Sequence, residues 1–337
     1  MGLSIFVITV FLGGAFAVPA LVGPFYQTND YYTYEEIGDY LDGLAWSYSN
    51  RVVLKEIGVS YENRTLRTIT ISNGDGRPGK NVIFIDAGFH AREWLAHTTA
   101  LNIINELVVN YDKNKDLLDD YEWIILPLVN PDGYTYSRSD IERIDWRKNR
   151  KPSGNGCIGT DLNRNFEVGW GAGDASDDPC NFQLYRGEAP FTEPESQTIQ
   201  RVLLELTANN RGKLYLSIHS YGAEILYPWS YAKETIKNYK EHLEIAEKAI
   251  QAISKTSRPS KYVARPGNAM YVAGGSSMDY AYKVGFPLSF VWELPGIRGN
   301  EEFKFYPPKY LIRELVRETW VGVRAMAKNV IKYYPTS

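Results

Sequence analysis

Residues 81–94 read NVIFIDAGFHAREW, and residues 214–221 read LYLSIHSY. Each is a run of apolar residues that stops at a histidine, His90 in the first and His219 in the second. Continuous apolar runs of this length fit strands buried on both faces, as in sheets covered by helices on two sides. Further strand-like runs lie at 52–59, 68–72, 122–128 and 288–293, and helix-like segments at 34–47, 94–111, 193–209, 232–257 and 308–333 alternate with them. Thr192 followed by Glu195 has capping-box spacing, and Pro308 precedes an amphipathic run. The alternation predicts an α/β domain with a mostly parallel or mixed sheet and helices on both faces. Ligands in such sheets bind beyond the carboxyl ends of strands, where both histidines fall.

The chain has 337 residues with a formal net charge of −3, 44% hydrophobic and 23% charged. That composition excludes a disordered chain, a collagen or a coiled coil. No block of Lys and Arg is present, which argues against nucleic acid and against attachment to acidic membranes. Residues 1–17 are almost wholly apolar and end in Ala15-Phe16-Ala17, a small-x-small site, so they read as a secretory signal peptide. An uncleaved signal anchor is the alternative. No second stretch is apolar enough to span a membrane. Cys157 and Cys180 are the only cysteines, and in an oxidising compartment they would pair. The bond would close a loop of about 24 residues, worth roughly 3 kcal/mol in the chain-entropy model; two free thiols are the other reading. Asn63-Arg64-Thr65 is a glycosylation sequon in a predicted turn.

Only four histidines are present, so each can be weighed. His242 lies in the charged stretch KNYKEHLEIAEK and is expected at the surface; His97, inside a helix without a partner at the next turn, is expected to be structural. His90 and Glu93 are three apart at a strand-to-helix turn, and His219 could add a third donor. Two His and one carboxylate with an open position is the pattern of a catalytic zinc site. The competing reading makes Glu93 a helix cap and His90 a backbone hydrogen-bonder. Glu293, in SFVWELPG, is an acid at the end of an apolar strand, which needs a partner or a task. Arg147 and the pair Asn163-Arg164 fall in the loop-rich stretch 131–190, where guanidinium and amide groups could hold a carboxylate or simply face solvent.

Taken together, HAREW (90–94), NPDGY (130–134), WRKNR (146–150), DLNRNF (161–166), IHSY (218–221), MYVAGGSSMDY (270–280) and FVWELPG (290–296) resemble the motif series of the pancreatic A/B zinc carboxypeptidases. The resemblance runs in order over most of the chain. It implies a single α/β domain at 30–337 with an eight-stranded mixed sheet, secreted, monomeric and holding one Zn2+. By resemblance His90, Glu93 and His219 are the zinc ligands, and Asp161 is the carboxylate that orients His90. Glu293 is the general base and Arg147 polarises the scissile carbonyl. Asn163, Arg164 and Tyr271 grip the substrate's terminal carboxylate, with Arg92 and Tyr221 on the same path. Met278 occupies the base of the side-chain pocket, with Met270, Ala273 and Val291 nearby. An Asp there goes with Lys/Arg substrates, so Met278 implies apolar or aromatic ones.

The expected partners are peptides and proteins with a free C-terminus, together with protein inhibitors. Two departures stand out. Residues 18–29 form only a short N-terminal extension where the family carries a prosegment, and the segment after Glu293, LPGIRGNEEFKF, is more charged than usual. A B-like preference and a non-catalytic peptide-binding relative are the alternatives. The second would lack the base or a metal ligand, and this sequence lacks neither. A serine hydrolase is excluded by the absence of a G-x-S-x-G elbow.

Overall fold

A computed structural model describes residues 29–269, 271–296 and 303–336. The signal-peptide and N-terminal-extension readings, Met270 and residues 297–302 of the charged segment after Glu293 lie outside these residues. The first helix, α1 (Tyr34–Ser47), starts where Thr33 and Glu36 form a reciprocal capping box. There follow β1 (Val52–Val59), β2 (Thr65–Ile71), β3 (Asn81–Ala87), α2 (Trp94–Val108), α3 (Tyr111–Asn114), β4 (Tyr121–Leu126) and α4 (Pro131–Arg138). The second half comprises α5 (Pro194–Ala208), β5 (Gly212–Ser220), β6 (Glu224–Tyr227), α6 (Tyr239–Ile253), β7 (Val263–Pro266), α7 (Ser277–Val284), β8 (Leu288–Leu294) and α8 (Lys309–Tyr333).

The eight strands form one sheet in the order β1-β2-β4-β3-β5-β8-β6-β7. Its centre, β4-β3-β5-β8, is parallel, and antiparallel pairs flank it. The fold is therefore the single α/β domain with an eight-stranded mixed sheet that the motifs imply. Because side chains alternate along a strand, β3 sends Ile83 and Ile85 to one face and Val82 and Phe84 to the other. The first face packs on α1, α2, α6 and α8, and the second on α5 and α7. Both faces are dry, which is why the strand reads as one apolar run.

Several sequence readings need correction. Strands β6 and β7 have four residues each, too short for a periodic signal, and β7 ends on Pro266 at the sheet's edge. Helix α6 begins at Tyr239, not at 232. The capping box at Thr192 does not form: the Thr192 hydroxyl bonds to Glu193 and accepts from Asn165 Nδ2, and α5 starts at Pro194 without a side-chain cap. His242 is fully buried, not at the surface. It shares the inner stripe of α6 with Ile245, Ala246, Ala249 and Ile253, and its Nε2 accepts from the Ser289 backbone N–H (3.2 Å) on β8. No helix among the described residues is long and apolar enough to cross a membrane.

Candidate active site

The chain leaves β3 through Gly88, whose φ of +73° lies in the left-handed region that disfavours any other residue; a Cβ there would also press on Leu128 Cδ1 at 2.8 Å. This turn aims His90 across the end of the sheet. Glu93 follows as the residue that opens α2. His219 stands at the end of β5, where Phe89 stacks on its ring at 5.5 Å and 20°.

The three side chains meet. His90 Nδ1 lies 2.7 Å from Glu93 Oε1, and His219 Nδ1 lies 3.1 Å from Glu93 Oε2 and 3.2 Å from His90 Nδ1. All are buried, and their donor atoms fall within 4.8 Å of one another. Two imidazole nitrogens facing each other beside a carboxylate make a donor set suited to a cation such as zinc. Burial pushes the Glu93 carboxyl upward, but His90 and His219 outweigh it and hold the group well below the usual carboxylate range.

Behind this cluster, His90 Nε2 lies 3.1 Å from Asp161 Oδ1. Arg147 clasps the other oxygen, donating from Nε (3.0 Å) and Nη2 (2.9 Å) to Asp161 Oδ2. Its remaining arm, Nη1, stays 3.8 Å from Glu93 Oε1. Burial alone would raise Asp161, but Arg147 and then His90 bring it far down, so it is ionised. Glu293 is the register partner of His219 across β5 and β8, and only partly covered. Burial and the neighbouring Glu93 carboxylate raise its pKa, with His219 and Arg147 pulling the other way.

Beyond Asp161, whose Oδ2 lies 3.9 Å from Arg164 Nη1, Arg164 donates to both oxygens of Asp174, from Nε (3.0 Å) and Nη2 (2.9 Å), and its guanidinium lies 5.8 Å from the Tyr271 ring centroid. Asn163 Oδ1 accepts from the Ser277 N–H (2.9 Å), which turns its amide NH2 away from that contact. Tyr271 and Tyr221 are exposed at the rim. Tyr221 packs edge-on against Phe305, and Arg92 lies over the same ring at 4.2 Å. Met278 is buried with Leu226 and Val291 in a small apolar cluster of its own. Asp279, its neighbour, is turned away: Ser230 and Tyr231 backbone N–H groups donate to its carboxylate. Cys157 and Cys180 are joined by a disulfide.

The polar residues singled out in the sequence thus fall into one neighbourhood, and Met278 lies in a separate apolar cluster with Leu226 and Val291. Asp174 and Ser277, which fix Arg164 and Asn163, gave no sequence signal, because only the fold brings them near. His97 is buried, as expected of a structural residue.

Comparison with known proteins supplies the class. The profile of the zinc carboxypeptidase family matches residues 37–322. Carboxypeptidase B of Astacus astacus is 35% identical over 90% of this chain and 98% of its own. Carboxypeptidase A5 of Macaca fascicularis is 32% identical over 91% of this chain and 69% of its own. The structure of bovine thrombin-activatable fibrinolysis inhibitor in complex with tick carboxypeptidase inhibitor superposes with a TM-score of 0.83 at 33% identity, covering 91% of this chain and 99% of that one. Fold and site therefore define a metallocarboxypeptidase, an enzyme of C-terminal exopeptidase type. The chain belongs to the zinc carboxypeptidase family, and zinc is the metal that its His-Glu-His donor set suits.

Proposed function

We propose that this enzyme is a secreted carboxypeptidase that removes apolar or aromatic residues from the C-termini of peptides and proteins. The observation that carries the preference is the buried cluster of Met278, Leu226 and Val291. A pocket floored by these side chains offers nothing to pair with a Lys or Arg, whose charge would be left desolvated. Asp279, the nearest acid in sequence, already accepts from the backbone N–H groups of Ser230 and Tyr231 in the segment after β6, which tells against a B-like pocket.

In this reading His90, Glu93 and His219 hold the zinc, and Asp161 fixes the His90 tautomer. When bound, zinc supplies Lewis acidity, polarising the scissile carbonyl and making water a better nucleophile at neutral pH. Asn163, Arg164 and Tyr271 take the substrate's terminal carboxylate, with Tyr221 and Arg92 lining the approach. That grip explains exopeptidase action, since a mid-chain bond presents no carboxylate. Arg147, anchored on Asp161 by two donors, keeps Nη1 for the oxygen on which charge develops. Glu293 takes a proton from the attacking water and later delivers it to the leaving amine.

The apolar leader at 1–17 and the Cys157–Cys180 disulfide support secretion. The exposed aromatic rim of Tyr221 and Tyr271 suits peptide substrates and protein inhibitors alike. The test is kcat/KM for matched blocked dipeptides ending in Phe and in Arg. A preference for Arg would overturn the pocket assignment.

A further inference from the structure

Tyr215, Ser217 and His219 alternate along β5 and so share one face of the sheet. On that face Asp86 of β3 is the register partner of Ser217. All four side chains are buried. The Tyr215 hydroxyl donates to Asp86 Oδ2 (2.6 Å), and Ser217 Oγ lies 3.0 Å from His219 Nε2. Asp86 Oδ1, by contrast, is buried without a hydrogen-bond partner. A buried carboxylate oxygen left without a donor is costly, so its surroundings should supply one.

Proton bookkeeping identifies the donor. His219 Nδ1 faces Glu93 and His90, so a metal held there requires the lone pair on Nδ1 and the ring proton on Nε2. That proton is donated to Ser217 Oγ. The serine's own hydrogen is then left over, and its register partner across the strand pair is Asp86, which carries the unpartnered Oδ1. We propose that Asp86 is a positioning residue for His219, acting through the Ser217 hydroxyl to fix the imidazole tautomer that presents Nδ1 to zinc. The assignment rests on His219 being a zinc ligand, as in the reading above. It makes the site two-sided: Asp161 orients His90 directly, whereas Asp86 orients His219 through one hydroxyl. Burial pushes the Asp86 carboxyl up to about 6, and the hydrogen bond from the Tyr215 hydroxyl restrains the rise.

The test is zinc affinity, measured by chelator competition on the full chain for Ser217→Ala, Asp86→Asn, the double variant and His219→Gln. Each single relay variant should weaken zinc binding about 10- to 100-fold. The double variant should lose no more than the worse single one, because either change already breaks the path. Independent structural roles would instead give losses that multiply, and that result overturns the relay. So does unchanged affinity in Ser217→Ala, a one-atom deletion that decides the matter even if Asp86→Asn fails to fold. Loss of zinc in His219→Gln with unchanged affinity in Ser217→Ala would refute the relay and leave the ligand assignment standing. Zinc retained in His219→Gln would refute the ligand assignment and the relay with it.

Discussion

His219 and Glu293 occupy the same register position on the neighbouring parallel strands β5 and β8, so their side chains rise side by side from one face of the sheet. The proposed metal ligand and the proposed base are thus spaced by the backbone ladder itself. Strands at the centre of a sheet give tighter positioning than loops do, which suits a pair that must act on one water.

That pairing leads to the first prediction. Glu293→Gln keeps the shape of the side chain but cannot accept a proton. It should lower kcat by at least about 10²-fold while zinc content and KM change little. Steady-state kinetics with metal analysis on the same preparation checks this. Removing the metal with a chelator should abolish activity in the parent enzyme, and added zinc should restore it.

Carboxylate recognition is testable without touching the metal. Replacing the substrate's free carboxylate by an amide should cut kcat/KM by about 10²-fold or more, because in the proposed grip Asn163 and Arg164 would lose their charged partner. Asp174 holds two of the Arg164 nitrogens. Asp174→Ala should therefore raise KM for acids and narrow the gap between acid and amide. An unchanged ratio would remove Arg164 from the grip.

Burial of His242 makes a pH prediction. Its pKa falls to about 4, chiefly because burial penalises the cation, and its Nε2 is already committed as an acceptor from Ser289 N–H. The unfolded chain protonates this group near 6.5. A depressed histidine pKa means the unfolded state binds more protons between those values. Stability is therefore full above about pH 6.5 and lost as pH falls toward 4, by up to about 3 kcal/mol. Thermal melts from pH 7 to 4 should show a shallower acid loss in His242→Gln than in the parent.

The fold was readable because the central strands are apolar on both faces and end in punctuating residues, as in residues 81–94. The short edge strands β6 and β7 were not, since four residues carry no period. His90, Glu93 and His219 were visible as a pattern only through their place at strand ends. Asp86 was hidden inside the very run that revealed β3, where it reads as one polar residue in an apolar strand. His242 reads as a surface residue because the charged residues around it lie on the outer face of α6, while its own position follows the inner apolar stripe.

The final prediction concerns specificity. Met278 is 1% exposed and clusters with Leu226 and Val291, so a carboxylate placed there, at the proposed floor of the pocket, would enter apolar surroundings. Met278→Asp should then cost stability in the free enzyme, since an unpaired buried charge is expensive. A Lys or Arg side chain entering the pocket would relieve that cost and a Phe would not. The ratio of kcat/KM for substrates ending in Phe and in Arg should move toward Arg by about 10²-fold or more, mostly through loss on Phe. Asp279 offers an internal control. Its carboxylate is occupied by the Ser230 and Tyr231 N–H groups, so Asp279→Asn should lower the melting temperature and leave the Phe/Arg ratio in place. If Asp279→Asn shifts the ratio and Met278→Asp does not, the floor of the pocket has been assigned to the wrong residue.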